Sequence, residues 1–327
     1  MSPSIKITIH WSQFPDRVRS DLQESLRTRR LNPKFLYDSL RQTRKWLALH
    51  QAHSPARTDP DCAATYDRSF AGAIARLPSG PVHLVGLGCG GGQKDTRLLQ
   101  LLRNSKRRAQ YTPADVSTAM VLVAGQAAQS VIPAGDCFPL VCDLASADDL
   151  GPELEQHERD GAARLITFFG MIPNFEPSLI VPRLASLVRA GDWLLFSANL
   201  APGPDYQAGL EKILPLYDNE LTRDWLLGFL LDAGLERGDG ELRFSIEPDP
   251  ASSLKRVTAR FHFERSRTIQ VEDERFDFRA GDALQVFFSY RHTPQIIRDL
   301  LGRHHLRVMD EWVTRSGEEG VFLVKSE

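Results

Sequence analysis

A glycine-rich turn is the segment of this sequence whose residue types and spacing point most directly to chemistry. It overlaps the end of the apolar run Val82–Leu87 and includes Gly86, Gly88 and Gly90 in a G-x-G-x-G spacing. Backbone without side chains can approach a nucleotide-like ligand closely, and such turns join a buried strand to a helix in nucleotide-binding domains. The spacing predicts a nucleotide-type site and leaves the ligand open.

Two acidic residues later in the chain narrow the choice of ligand. Asp115 ends the predicted strand Tyr111–Val116, and Asp143 ends the predicted strand Phe138–Asp143. A carboxylate at the first position can accept both ribose hydroxyls, and one at the second can accept an adenine amino group. Carboxyl ends of parallel strands meet at the ligand-binding edge of an open α/β sheet. The set fits S-adenosylmethionine (SAM) better than a nicotinamide dinucleotide.

Two residues of the turn bear on the charge of this ligand. Gly86 stands where many SAM enzymes carry an acid that contacts the methionine part. Lys94 follows the turn, where its ammonium could offset a negative charge on the ligand. We therefore expect a SAM site that lacks the usual acid of the first strand.

Short apolar segments alternate with helical segments through the middle of the chain. Strands are predicted at Val82–Leu87, Tyr111–Val116, Phe138–Asp143, Leu165–Phe169 and Trp193–Ala198. Apolar strands spaced by helices indicate a parallel sheet that is buried on both faces. The pattern predicts an α/β, doubly wound domain.

The alternation stops after residue 200. Consecutive strands are predicted at Leu242–Ile246, Arg256–Glu264, Arg267–Val271 and Phe276–Phe278. Several strands in a row indicate an antiparallel sheet, whereas a helix and two strands after residue 293 resume the α/β pattern. We expect one domain of residues 60–200 plus 292–327, and a second, α+β domain of residues 1–59 plus 201–291.

Composition and charge argue against several classes of partner. The net charge is -2 and 42% of the 327 residues are hydrophobic, so nothing indicates a nucleic-acid or anionic-membrane partner. The four cysteines form no C-x-x-C pair and the histidines are scattered, so no metal site is expected. No apolar stretch reaches the ~20 residues that cross a bilayer. We expect a cytoplasmic monomer or weak homodimer that acts on a small molecule.

Several short segments, taken in order, resemble one known family. They are Phe35–Ser39, Arg57–Asp59, the glycine turn with Lys94, Pro113–Ser117, Phe169–Phe175, Leu216–Asp218 and Ala280–Ser289. Through their order and spacing, roughly residues 30 to 291 resemble the SAM-dependent histidine Nα-methyltransferases of ergothioneine biosynthesis. The resemblance implies a Rossmann-type class I methyltransferase domain. It also implies a second, substrate-binding domain built from the N-terminal segment and an insert.

The resemblance also implies roles for individual residues. The implied SAM-binding residues are Gly88, Lys94, Asp115, Asp143 and Leu144, to which the turn adds Gly86 and Gly90. The implied catalytic and substrate-binding residues are Asn174 and Tyr217, for the substrate carboxylate and amine, and Tyr37, beside the reacting nitrogen. These types suit methyl transfer, since an amide side chain both donates and accepts and a tyrosine hydroxyl orients an amine without adding charge.

The predicted substrate pocket departs from the family pattern. A glutamate and a serine that bind the imidazole in the family fall at Phe287 and Ser289, so the acid is missing. A family methionine on the pocket wall falls at Ala259. An imidazole buried without a hydrogen-bond partner costs about 1–3 kcal/mol per unpaired group. We therefore expect an amino acid with an apolar or aromatic side chain, and not histidine.

Two alternatives use the same SAM site differently. The amine of SAM could attack the carbon next to its own sulfur, which would release a small cyclic amino acid and methylthioadenosine. A non-catalytic SAM-binding protein would bind SAM and release no product. Product analysis separates the three readings, because methyl transfer alone yields S-adenosylhomocysteine.

Overall fold

The computed structural model describes residues 5–250 and 252–327, which form two compact units. The first unit comprises the described residues of Met1–Gln13 together with Pro55–Leu200 and Thr293–Glu327. The second unit comprises Phe14–Ser54 and the described residues of Ala201–His292. No helix in the described ranges is both long and apolar enough to cross a membrane.

The helices and strands are numbered here in chain order. The helices are α1 (Pro15–Thr28), α2 (Leu40–His53), α3 (Pro55–Thr58), α4 (Pro60–Arg76), α5 (Gln93–Asn104), α6 (Thr118–Ala128), α7 (Leu150–Glu155), α8 (Pro177–Leu187), α9 (Tyr206–Tyr217), α10 (Glu220–Asp232) and α11 (Pro294–Gly302). The strands are β1 (Thr8–Ile9), β2 (Val82–Leu87), β3 (Ala109–Asp115), β4 (Leu140–Val141), β5 (Ala163–Phe169), β6 (Trp193–Asn199), β7 (Gly240–Pro248), β8 (Lys255–Phe263), β9 (Arg267–Val271), β10 (Glu274–Phe278), β11 (Ala283–Arg291), β12 (Leu306–Val313) and β13 (Glu319–Ser326).

The first unit is built on one eight-stranded sheet. Its strand order is β1-β4-β3-β2-β5-β6-β13-β12, and β13 runs antiparallel to both of its neighbours. Every residue of β2 is buried, because apolar clusters cover both faces of the sheet. The prediction of an α/β, doubly wound domain is confirmed. Strand order reverses between β2 and β5, and open α/β sheets bind ligands at such a point.

Polar side chains define where several helices of both units begin. In six helices the residue before the first turn accepts a hydrogen bond from a backbone amide that has no partner within the helix. These residues are Ser39, Asp59, Ser117, Asp205, Asn219 and Thr293. One of these caps, Ser117, follows β3 directly, so the chain turns sharply at the ligand-binding edge of the sheet.

The second unit combines an antiparallel sheet with helices, as the α+β prediction states. Its three-stranded sheet has the order β11-β8-β7, and β9 pairs with β10 in a separate hairpin. Strand β11 was not among the four predicted strands. Eight of its nine residues are buried, so the alternation of polar and apolar residues that marks a half-buried strand is absent. This strand carries Phe287 and Ser289.

The N-terminal segment differs from the predicted division of the chain. Thr8 pairs with Leu140 and Ile9 with Val141, so β1 belongs to the sheet of the first unit and not to a domain of residues 1–59. The predicted strand Phe138–Asp143 is also shorter in the structure, because only Leu140–Val141 pair in the ladder. Asp143 thus lies in the connection just after the strand.

Candidate functional site

The glycine turn after β2 takes a backbone conformation that side chains disfavour. Gly88 and Gly90 have φ angles of 65° and 51°, in the left-handed region that glycine enters without a steric penalty. The turn lies close to β3, where the Cys89 amide donates to the Ala114 carbonyl at 3.0 Å. The turn therefore presents bare backbone at the carboxyl edge of the sheet.

Asp115 links this turn to the end of β3. Its Oδ2 accepts from the Gly90 amide and its Oδ1 from the Ser117 amide, both at 3.0 Å. The side chain is 8% exposed, and burial raises the pKa of its carboxyl group against the opposing effect of these amides. The carboxylate is thus held in one orientation beside the turn, with lone pairs left for the hydroxyls of a ligand.

Asp143 and Leu144 lie beyond the next strand tip. Asp143 Oδ1 accepts from the Ala145 amide at 2.9 Å, and the Asp143 amide donates to Ser12 Oγ at 3.0 Å. Leu144 lines an apolar pocket together with Leu87. Ser12 was not predicted as part of this site, since only the pairing of β1 with β4 brings it here.

Lys94 is held by two residues that are remote in sequence. Its Nζ donates to the Tyr66 hydroxyl at 2.6 Å and lies 3.9 Å from the centre of the Tyr66 ring. The same hydroxyl contacts Glu319, whose carboxylate is 3.8 Å from Lys94 Nζ. Burial is the largest cause that raises the pKa of Tyr66, so this hydroxyl stays protonated. Tyr66 and Glu319 come from α4 and β13, and no motif identified them in the sequence.

Gly86 lies in β2 itself, before the turn. A β-carbon at this position would collide with the carboxylate of Asp95 on α5. Position 86 therefore has no acid of its own, but the acid Asp95 lies next to it. Sequence analysis did not identify Asp95.

Asn174 lies in the loop after β5, in the first unit. It ends a single 3-10 turn in which its amide donates to the Met171 carbonyl at 3.0 Å. The side chain of Met171 packs on Gly88, where a β-carbon would come within 2.6 Å of its sulfur. The loop that carries Asn174 therefore contacts the glycine turn.

The second unit holds a polar group around Tyr217. Its hydroxyl lies 2.8 Å from Ser289 Oγ and accepts a hydrogen bond from Arg291 Nη2 at 2.7 Å. Ser289 and Arg291 are buried, at 2% and 7% exposure. Arg291 was missed in the sequence, although its position two residues after Ser289 on a strand places both on one face.

Aromatic rings extend from this polar group. The centroid of the Phe287 ring lies 6.0 Å from that of Tyr217 and 5.8 Å from that of Trp225. Tyr37 lies 5.4 Å from Trp225 and 6.0 Å from Trp46. These five side chains, Tyr37, Trp46, Tyr217, Trp225 and Phe287, are called the aromatic cluster below. The two tryptophans in it were not predicted.

Ala259 lies beside Phe287 on the neighbouring strand in the sheet of the second unit. The two residues are paired in the ladder of β8 and β11, and Ala259 is fully buried. Because the alanine side chain is small, the Phe287 ring can extend over the neighbouring strand at this position. No carboxylate accompanies Ser289 at the ladder position where the family glutamate was expected, because Phe287 occupies it.

Metal ligation has no visible basis in the described residues. Within 5–250 and 252–327, no group of three or more histidine, cysteine, aspartate or glutamate side chains is placed to hold a metal ion. The four cysteines are unpaired with one another, and burial raises the pKa of Cys62 to about 12.

Relatives in sequence show the family of this chain. The N-methyltransferase imqF of Aspergillus flavus is 22% identical over 276 residues, which cover 81% of this chain and 72% of that protein. A family model described as histidine-specific methyltransferase, SAM-dependent, matches residues 16–326.

Solved structures with a similar fold are more distant. The magnesium protoporphyrin IX methyltransferase of Synechocystis PCC 6803 is 16% identical, with 89% of this chain and 97% of that chain covered and a TM-score of 0.47. The 1,6-didemethyltoxoflavin-N1-methyltransferase of Burkholderia thailandensis is 13% identical, with 87% of each chain covered and a TM-score of 0.43. The family model spans nearly the whole chain, and the chain therefore belongs to the SAM-dependent methyltransferase family described as histidine-specific.

Proposed function

We propose that this chain transfers the methyl group of SAM to the amine of a small amino acid that has an aromatic or apolar side chain. The observation that carries the proposal is the position of Phe287, whose ring contacts Tyr217 and Trp225 where the resemblance expects an imidazole-binding acid. The name of the Aspergillus flavus relative, an N-methyltransferase, supports nitrogen as the acceptor atom.

SAM supplies an electrophilic methyl group on a positively charged sulfur. The substrate nitrogen forms the new bond to that carbon, the carbon–sulfur bond breaks, and its electron pair stays on sulfur as S-adenosylhomocysteine. The amine must lose its proton beforehand and direct its lone pair along the carbon–sulfur axis. Orientation of this kind contributes up to about 7–11 kcal/mol to catalysis, and the family resemblance implies that Tyr37, Asn174 and Tyr217 provide it.

The residues around Tyr217 suit the polar end of an amino acid. A guanidinium such as that of Arg291 is the strongest side-chain partner of a carboxylate. In this structure it donates to the Tyr217 hydroxyl, so the hydroxyl keeps its own proton for Ser289 or for a substrate atom. We propose that Tyr217, supported by Ser289 and Arg291, binds the polar end of the substrate.

The aromatic cluster suits the other end. Rings at 5.4 to 6.0 Å centroid separation present the tilted and edge contacts that aromatic side chains favour. An imidazole placed against Phe287 would lose the acceptor that a glutamate provides. A phenyl side chain has no polar group to pair there, and a phenol or indole has one where an imidazole has two, while the carbon surface of each is removed from water.

The experiment is a competition among free amino acids. The purified chain is incubated with SAM and an equimolar pool of the twenty common amino acids, and the products are identified by mass spectrometry. We expect mass gains of a methyl group on an aromatic amino acid, with stoichiometric S-adenosylhomocysteine. Preferential methylation of histidine, or release of methylthioadenosine without methyl transfer, would contradict the proposal.

A further inference from the structure

The side chains of positions 86 and 95 compete for one space at the carboxyl edge of the sheet. Asp95 is the third residue of α5, and its Oδ2 lies too close to Gly86 for a β-carbon to fit between them. The aspartate is 3% exposed. Any side chain larger than that of glycine at position 86 would displace the Asp95 carboxylate. The observed Asp95 rotamer therefore requires glycine at position 86.

Two strands that flank β2 hold the Asp95 carboxylate. Tyr111 on β3 donates its hydroxyl to Oδ2 at 2.7 Å, and Thr167 on β5 donates to Oδ1 at 2.8 Å. Thr167 is also the ladder partner of Gly86. The carboxylate thus lies over the junction of β2 and β5, where the strand order reverses and α/β sheets bind their ligands.

The charge of this carboxylate is poorly balanced by the protein. Both hydrogen-bond donors are neutral hydroxyls. In the part of the chain that the structure describes, Lys94 is the one cation that lowers the pKa of Asp95, and the Lys94 ammonium is directed to Tyr66 and Glu319. Burial of an anion without a paired cation is unfavourable, so a cationic ligand at this edge would gain from its presence.

We infer that Asp95 replaces the missing acid of the first strand and acts as the counter-charge of the cationic cofactor. SAM carries a sulfonium and an ammonium against one carboxylate, whereas S-adenosylhomocysteine has no sulfonium and is neutral overall. An anion beneath the glycine turn therefore favours SAM over its own product. The inference rests on SAM as the cofactor and is independent of the amino acid that accepts the methyl group.

The first test compares the two cofactor forms in the absence of any acceptor. Calorimetric titration of the full chain measures the affinities for SAM and for S-adenosylhomocysteine in wild type, Asp95→Asn and the control Asp67→Asn. Asp67 is an exposed acid of the same unit that pairs with Arg97 on α5. Because a unit charge acts more strongly on a net cation, we expect Asp95→Asn to weaken SAM roughly tenfold more than S-adenosylhomocysteine, while the control changes neither.

Two results would overturn the inference. One is an unchanged SAM affinity in Asp95→Asn. The other is an equal loss for SAM and S-adenosylhomocysteine, which would mean that Asp95 only maintains the shape of the site. Neither result depends on methyl transfer, so a failure to find an amino-acid acceptor leaves this test intact.

A second test moves the acid back to the strand. Gly86→Glu alone would collide with Asp95, whereas Gly86→Glu combined with Asp95→Ala removes that collision and restores an acid, with the Tyr111 ring left 3.2 Å from the new β-carbon. We expect the double variant to bind SAM more tightly than Asp95→Ala and to regain a preference for SAM over S-adenosylhomocysteine. A double variant that unfolds at the wild-type temperature yet binds SAM no better than Asp95→Ala would count against the counter-charge role.

Discussion

The hydroxyl of Tyr217 lies 2.8 Å from the hydroxyl of Ser289, and the two residues come from a helix end and a strand that are 72 residues apart. Arg291 donates to the same tyrosine hydroxyl, so the Tyr217 oxygen lies between the guanidinium of Arg291 and the hydroxyl of Ser289. A hydroxyl so held can serve a substrate atom without reorganisation, which is the property that catalysis by orientation requires.

Removal of this hydroxyl tests the role of Tyr217. We expect Tyr217→Phe to lower kcat/KM for the best amino-acid substrate by at least about tenfold, the effect of one lost hydrogen bond to a polar group. Affinity for SAM is expected to stay at the wild-type value. The matched control is Tyr206→Phe in the same unit, whose hydroxyl binds the backbone of Lys255 and Arg291. The control should lower the melting temperature and spare kcat/KM; the reverse pattern would contradict the assignment.

Phe287 provides a test of substrate choice. We expect Phe287→Glu to lower turnover of the aromatic substrate by about a hundredfold and to raise turnover of histidine, because a carboxylate can accept the imidazole N–H. Parallel assays with both amino acids measure the change in preference. Phe287→Leu is the control that keeps the site apolar, and it should not gain histidine. A folded, SAM-binding Phe287→Glu variant with no gain toward histidine would contradict this use of the position.

Asp115 is expected to affect both cofactor forms equally, because the ribose is common to them. Asp115→Asn removes a charged acceptor, and such hydrogen bonds contribute about 1.5–3 kcal/mol each. The affinities for SAM and for S-adenosylhomocysteine should both fall by at least about tenfold, as measured by titration calorimetry. This equal loss differs from the unequal loss expected at Asp95. An unequal loss at Asp115 would show that its charge, and not its contact with a shared group, determines binding.

The stability difference between Asp95→Asn and wild type should depend on pH in a defined direction. Burial raises the pKa of Asp95 from 3.8 to about 6, although Tyr111, Thr167 and Lys94 oppose the shift. The folded chain therefore holds this proton more tightly than the unfolded chain, and wild type loses stability as the pH rises from about 4 through 6. A shift of this size corresponds to something on the order of 2–3 kcal/mol.

Thermal unfolding of both proteins at several pH values measures this effect. The melting temperature of Asp95→Asn relative to wild type should rise between pH 4 and pH 7, because the asparagine has no charge to bury. The exposed-acid variant Asp67→Asn should show no such change. A difference in melting temperature between Asp95→Asn and wild type that stays constant across this range would mean that burial does not raise the pKa of Asp95.

The local part of the candidate cofactor site was predictable because it depends on residues near one another in sequence. A strand, a glycine turn and a helix follow within Val82–Asn104, and the left-handed angles at Gly88 and Gly90 are what this spacing indicates. Asp115 was predictable as a strand-tip residue for the same reason. Parallel strands with helical connections place their carboxyl ends on one edge whatever the details of packing.

Strand β11 was not predictable from periodicity. Its residues are buried on both faces, so the polar and apolar alternation that marks a strand at a surface is missing. A register shift in its pairing with β8, between Gln285 and Phe287, further separates the sequence pattern from the faces of the sheet. In the sequence, only the family resemblance assigned Phe287 and Ser289 to the substrate pocket, and the pairing of β11 with β8 gives their places in the sheet.

The sequence by itself determined the class of sheet, the glycine turn and the acids at the strand tips, since each follows from residues adjacent in the chain. Only the tertiary structure decided which groups face one another across separate elements. Asp95 fills the space left by Gly86 because α5 packs on β2, and Phe287 meets Trp225 because a helix and a strand of the second unit pack together. Contacts of this kind depend on the packing of elements that are distant in sequence, which neither spacing nor composition records.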